Sequence, residues 1–174
     1  TREEFDGSAW ARIARSHLGG LPPEVDLKAE VALGNVVRAL SAADGPDGRP
    51  LVRAAHDLSN GGLVQSLVDS ALRFGIGGTF DVASAARRDC VGDHEMLLSE
   101  SQARAFVAVP EAALKAVFAA AEAEGVDAVR IGTTGGDMLA ISGVDLLAAE
   151  GEGCGWIASI DELRELSETG RKHF

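Results

Sequence analysis

The residue types best able to do chemistry in this chain sit in one short stretch, Ala55-His56-Asp57-Leu58-Ser59-Asn60-Gly61-Gly62-Leu63. His, Asp, Ser and Asn offer proton transfer, anion binding or cation ligation, and two glycines let a ligand or a neighbouring strand approach the backbone closely. The stretch lies between a predicted strand end and a predicted helix start, where backbone donors favour anions. It is equally a capping sequence, because Asp57, Ser59 and Asn60 all satisfy helix N-termini well and His56 bonds readily within a turn. A hydrolase triad is not implied. Triad members are defined by spatial roles rather than adjacency, and no Gly-x-Ser-x-Gly elbow occurs.

Two further stretches carry polar chemistry. In Leu98-Ser99-Glu100-Ser101-Gln102-Ala103-Arg104, the hydroxyls, the amide and a Glu100–Arg104 ion pair would line a polar site or satisfy backbone groups at a loop-to-strand junction. In Ile131-Gly132-Thr133-Thr134-Gly135-Gly136-Asp137, the glycines sit between two predicted strands with no helix following. That spacing is not the dinucleotide fingerprint and reads as a hairpin or bulged turn. His17, His56, His94 and His173 are scattered, and Cys90 and Cys154 have no metal-ligand spacing. Asp93-His94-Glu95 is dense in ligand-type side chains but reads as a solvated loop.

The elements that position these segments follow from period and punctuation. Ser8 is a predicted N-cap for a helix with Trp10, Ile13, Ala14 and His17 on one face, stopped at Gly19-Gly20. After the stiff Leu21-Pro22-Pro23 connector, Asp26 caps a helix with the stripe Leu33, Val36, Val37 and Leu40. Residues 43–50 are turn chemistry throughout. Strands are predicted at 51–56, 79–82, 104–109, 128–131 and 138–141. Val64, Leu67, Val68 and Ala71 mark a helix ending at Gly75, and Pro110 opens another with Leu114, Val117, Phe118 and Ala121 facing inward, ended at Gly125. Ser159 and Glu162 make a capping box for a last helix carrying Leu163 and Leu166. The expected fold class is α+β, with helices packed on a mixed or antiparallel sheet in a single domain spanning 1–174.

Composition narrows the function classes. A net charge of -11 disfavours nucleic acid and anionic membrane surfaces as partners. No apolar run approaches the roughly 20 residues of a membrane helix, and Thr1-Arg2-Glu3-Glu4 lacks leader character. With two cysteines, a reducing, cytoplasmic setting is expected. With 21 glycines, no tyrosine and 5% aromatic residues, the core must come from Ala, Val and Leu.

Taken in order, several segments resemble one family. They are Thr1 to Ser8, then Gly20-Leu21-Pro22-Pro23-Glu24-Val25-Asp26-Leu27, then the His56 and Ser99 stretches, then Arg130-Ile131-Gly132 with Gly135-Gly136-Asp137. The chain resembles, over roughly residues 1 to 165, the last aminoimidazole-ribotide-synthetase-type C-terminal domain of the phosphoribosylformylglycinamidine synthases. His56, Asp57, Ser59, Gly61 and Gly62 match that family's His-Asp-x-Ser-acid-Gly-Gly signature, and Ser99, Glu100, Ser101 and Arg104 match its Ser-Glu-Ser-x-x-Arg signature. Asn60 departs from it, since a neutral amide stands where the family has a carboxylate that would balance a cation. The ending, Ser167 to Phe174, follows the family only loosely.

The resemblance implies a parent ligase of purine biosynthesis that uses ATP and magnesium. The parent phosphorylates the amide oxygen of formylglycinamide ribotide, and ammonia then displaces phosphate to leave the amidine. It also implies a glutaminase subunit supplying ammonia, a small accessory subunit, and ATP-binding domains lying outside these residues. No catalytic residue and no metal ligand carries over to this chain, which is expected to be architectural and cleft-lining, and inactive by itself. The alternatives are a non-catalytic assembly module, pairing as a homodimer through an exposed sheet edge, or a domain of a related ATP-dependent enzyme. Hydrogenase-maturation, selenophosphate-synthesis and thiamine-phosphate-kinase proteins have similar domains, and the Gly-Leu-Pro-Pro run argues against them.

Overall fold

A computed structural model describes residues 1–143 and 155–170. Cys154 and the segment 171–174 lie outside them. The architecture is α+β, as the sequence predicts, but the strands form two sheets instead of one.

The first helix, α1 (Ala9–Arg15), is capped by Ser8, whose buried hydroxyl accepts from the Ala11 N–H at 3.1 Å. It ends earlier than predicted. Ser16 turns left-handed at φ 51° and closes the helix four residues before Gly20, so His17 lies beyond it. Of the predicted face, Trp10 is half-buried but Ile13 is 63% exposed, and the buried residue of α1 is Ala11. In α2 (Leu27–Ser41), Asp26 accepts from the N–H groups of Lys28 and Ala29, and Val36 and Leu40 are buried as the stripe requires.

Strand β1 (Ala54–Asp57) starts later than predicted, because Leu51 is used as a core residue ahead of it. It pairs antiparallel with β3 (Ala105–Ala108), placing His56 opposite Phe106 and Asp57 opposite Ala105. Between them run α3 (Gly62–Phe74), β2 (Gly78–Asp81), α4 (Ala83–Asp89) and α5 (Asp93–Leu98). The predicted solvated loop at Asp93-His94-Glu95 is thus the first turn of α5, whose Met96 and Leu97 are buried. After a 3₁₀ turn at Glu111–Ala113 comes α6 (Leu114–Ala123), with Ala121 inside and Phe118, expected inward, 40% exposed.

Residues 128–131 are not a strand. Strand β4 is Gly132–Thr134, and Val129 and Ile131 instead pack as side chains against the main core. Together with β5 (Met138–Ser142) and β6 (Gly155–Ser159) it completes a four-stranded sheet in the order β4-β2-β5-β6. Strand β2 is antiparallel to β4 and parallel to β5. Of the hairpin or bulged turn expected at 131–137, the turn is present but the hairpin pairing is not, because β2 lies between β4 and β5. Its two strands flank β2, and the Gly135-Gly136 turn spans the start of that strand, exchanging backbone bonds with Gly77 at 2.8 and 2.9 Å.

The last helix, α7 (Ile160–Gly170), starts at the predicted capping box and buries Leu163, but Leu166 is 67% exposed. The main core joins α3, α5, α7 and the inner face of the four-stranded sheet through Leu63, Leu67, Val82, Leu97, Leu139 and Ile141. A second, smaller core around Val36, Leu40, Leu51 and Ala113 ties α2 to the start of α6. The layers place the β1–α3 turn beside the end of α5.

Candidate functional site

The turn between β1 and α3 has little freedom. Gly61 and Gly62 are both left-handed, at φ 74° and 67°. A Cβ on Gly62 would lie 2.7 Å from the carbonyl oxygen of Leu97 and 2.8 Å from that of Ser99. Glycine is required there because the start of α3 presses against the backbone leaving α5. Buried Ser66, one turn into α3, donates to the carbonyls of Asp57 at 2.8 Å and Gly62 at 2.9 Å, closing the turn from below. The Ser59 hydroxyl donates to the Asp57 carboxylate, and that bond holds the carboxyl below its ordinary range. The half-buried His56 places Nδ1 2.6 Å from the Asp57 carbonyl oxygen and stacks on Phe106, with 6.0 Å between ring centroids. Asp57, Ser59 and Asn60 are exposed.

The second stretch is brought to the first by Glu100. One carboxylate oxygen accepts from the Gly61 N–H and from the Ala9 N–H, each at 2.8 Å, so a single side chain serves the N-termini of α3 and α1. The Glu100–Arg104 pair expected from the sequence does not form. Arg104 points the other way, donating to the carbonyls of Ser99 and Ser101 and to Thr1 Oγ1, and burial pushes its guanidinium down to about 10.

Ser99 and Ser101, 0% and 2% exposed, bond each other at 2.9 Å and hold the backbone of Arg2. The Ser-Glu-Ser-x-x-Arg segment is therefore a clamp on residues 1–9. Sequence reasoning missed one residue that holds this segment and one that holds the β1–α3 turn. Glu30 of α2 accepts from the N–H of Ala103, itself left-handed at φ 57°, and Ser66 locks the turn. Only the Gly62-to-Ser66 spacing of one helical turn hints at either.

The third stretch stands apart. Gly135 and Gly136 bond Gly77, and the Asp137 carbonyl accepts from Ile160, so this turn organises the four-stranded sheet and the start of α7. A cleft of about 790 Å³, partly open to solvent, is lined by apolar side chains including Leu33, Val36, Phe80, Met96, Phe106 and Leu139, with Ser101 and Arg104 on its wall.

These residues do not fit a magnesium ion or a triphosphate. Among the described residues no three His, Cys, Asp or Glu side chains gather as metal ligands. The Gly61 N–H, which would greet an anion at the start of α3, is held by Glu100, and the Gly62 N–H by the Ser59 carbonyl at 3.1 Å. In chemical terms the arrangement fixes a backbone corner and displays three polar side chains on it. Among the described residues no helix is long and apolar enough to cross a membrane.

With this geometry in hand, the chain belongs to the family described as AIR synthase related protein, C-terminal domain, whose sequence profile matches residues 3–142. The similar proteins are more particular. The chain is 44% identical over 143 residues to phosphoribosylformylglycinamidine synthase subunit PurL of Nocardioides sp., covering 82% of this chain and 17% of that protein. It is 46% identical over 134 residues to the subunit of that name from Leifsonia xyli, covering 77% and 17%. For Renibacterium salmoninarum PurL the figures are 42% over 168 residues, 97% of this chain and 20% of the relative. The chain thus spans a fifth or less of the length of these relatives.

Among solved structures, PurLQS from Thermotoga maritima superposes with a TM-score of 0.64 at 15% identity, covering 92% of this chain and 24% of the other. T. maritima PurL complexed with ATP gives 0.52 at 16% identity, covering 65% and 19%. Those two likenesses establish the fold, and the sequence relatives establish the resemblance read from the signatures.

Proposed function

We propose that this chain is the aminoimidazole-ribotide-synthetase-type C-terminal domain of a longer ATP-dependent C–N ligase that converts formylglycinamide ribotide to formylglycinamidine ribotide. The observation that carries this reading is the 42–46% identity to PurL subunits. ATP and magnesium act in the parent outside these residues, and ammonia reaches it from a glutaminase subunit, with a small accessory subunit in the cytoplasmic assembly. The chain contributes structure and a cleft wall. Its exposed Asp57, Ser59 and Asn60, with His56 behind them, face ligand or neighbouring domains, while Gly61, Gly62, Ser99, Glu100, Ser101 and Arg104 hold that corner in shape. Gly135, Gly136 and Asp137 hold the opposite sheet.

The test is an assay of the full-length polypeptide with ATP, ammonia and formylglycinamide ribotide, reading the amidine by mass. Formation of the amidine is expected, with none from the isolated 174 residues. Turnover by the isolated chain would overturn the architectural role. A second reading rests on the β1–β3 sheet, which has only two strands and so leaves one edge of each unpaired among the described residues. In that reading a second copy adds to the sheet, and a sedimentation coefficient that rises with concentration is its signature.

A further inference from the structure

Two unpaired strand edges line the same cleft, residues 104–109 on one wall and 125–134 on another. In the β1–β3 register the Leu58 N–H donates to the Arg104 carbonyl at 3.0 Å. Phe106 and Ala108 therefore turn their backbone groups to β1, and Ala105, Val107 and Val109 turn theirs away. On the other wall the Asp81 N–H donates to the Ile131 carbonyl at 2.6 Å, one step from the Phe80–Gly132 pair. Arg130, Gly132 and Thr134 accordingly turn away from β2. Among the described residues no strand pairs with either row.

The connections say how the two rows would meet. Helix α6 carries the chain from β3 to β4, and a helical crossover is what parallel neighbours require. If β3 and β4 run parallel, the remaining directions are fixed: β4 is antiparallel to β2 and β1 to β3, so β1 and β2 are parallel too. Those are the strands that α3 joins, again by a crossover. One sheet in the order β1-β3-β4-β2-β5-β6 thus suits both helices, whereas antiparallel contact of β3 with β4 suits neither. Residues 128–131 already have a strand's alternation, with Val129 and Ile131 half-buried and Ala128 and Arg130 exposed. Arg130 also pairs with Glu111, just past β3, at 2.8 Å, which ties the two walls together.

We propose that the domain carries a conformational switch at this joint, in which residues 128–132 zip in parallel onto β3, merging the two sheets into one and closing the cleft. The cleft is then the open form of a six-stranded sheet. Closing gives each row the backbone partners that the other lacks, and it draws together Phe106, Val129 and Ile131, which already pack on one core. Opening exposes two strand edges at once, so the closed form is the resting one. The switch is independent of the ligase reading, because it uses only backbone groups and the order of the elements.

Hydrogen exchange of the full-length polypeptide, read at single residues by mass spectrometry, tests the switch. Closure predicts that the Val107 and Val109 N–H groups exchange roughly tenfold or more slowly than in the unfolded chain, alongside those of Phe106 and Ala108. Free exchange at Val107 and Val109 beside protected Phe106 and Ala108 would overturn the proposal. Ala128→Pro and Arg130→Pro each remove one donor of the facing row while suiting extended backbone, and Ala128→Pro leaves the Glu111 ion pair in place. Either variant should free Val107 or Val109, with slow exchange at Leu67 and Leu139 showing that the core is still folded. Protection of Val107 and Val109 that survives both prolines would also overturn the proposal, because a second copy or another segment would then be what covers β3.

Discussion

The Glu100 carboxylate lies 2.8 Å from the Gly61 N–H, and the same oxygen is 2.8 Å from the Ala9 N–H. Two segments far apart in sequence are thereby joined at their helix starts by one charge. A carboxylate at a helix N-terminus satisfies an orphan donor and complements the dipole, and here it does so twice. Glu100→Ala is expected to cost about 2–4 kcal/mol, because two charge-assisted bonds go at once. Glu100→Gln keeps an acceptor and should cost roughly half as much. Urea denaturation of the two variants checks this, and equal losses would mean that the charge contributes nothing.

Gly62 has both a left-handed backbone and no room for a side chain. Gly62→Val should therefore destabilise by roughly 3 kcal/mol or more, from strain at φ 67° together with displacement of the Leu97 and Ser99 carbonyls. Asn60→Asp, on an exposed neighbour, should stay within about 0.5 kcal/mol of the parent. Melting temperatures separate the two, and equal values would contradict the tight-turn account.

The parts of the fold legible in the sequence are those that local chemistry decides. Ser8, Asp26 and Ser159 cap helices because their oxygens reach N–H groups two or three residues on, whatever else the chain does. The parts that were not legible depend on distant partners. Helix α5 is six residues long and has little stability of its own; it exists because Met96 and Leu97 are buried against α3 and its neighbours. Val129 and Ile131 alternate as strand residues do, yet the chain spends their side chains on the core, and pairing with β2 begins with the Ile131 carbonyl, which accepts from the Asp81 N–H at 2.6 Å just ahead of β4. Glu100 illustrates the limit best. Four residues from Arg104, it reads as an ion pair, and only the arrival of α1 and α3 on either side redirects it.

Arg104 is the half-buried counterpart of that redirection. Its fork serves two carbonyls and the Thr1 hydroxyl, a planar arrangement that a lysine cannot reproduce. Arg104→Lys should cost about 2–3 kcal/mol, since it leaves buried acceptors unpaired while keeping a charge out of water. The check is again urea denaturation, now with limited proteolysis near Thr1 to Ser8. Faster cleavage there is expected, because the clamp on residues 1–9 depends on this loop. A variant with parental stability and an unchanged digest would show that the fork holds nothing.

At the other end of the chain, acid should uncover the capping box of α7. Glu162 accepts from the Ser159 N–H at 2.7 Å and from its hydroxyl at 2.8 Å, and these bonds, the backbone one first, hold its carboxyl below the ordinary 4.5. A carboxyl lowered in the folded state takes up its proton first in the unfolded chain. Its contribution is therefore complete above pH 4.5 and fades as pH falls through the lower folded value. Glu162→Gln should accordingly lower the urea midpoint at pH 7 and differ less from the parent at pH 3. The Ser159 hydroxyl also receives the Glu162 N–H at 3.1 Å, a bond that acid leaves intact. Ser159→Ala should therefore retain part of its deficit at pH 3, and a deficit that disappears entirely there would mean that only the carboxylate half of the box matters.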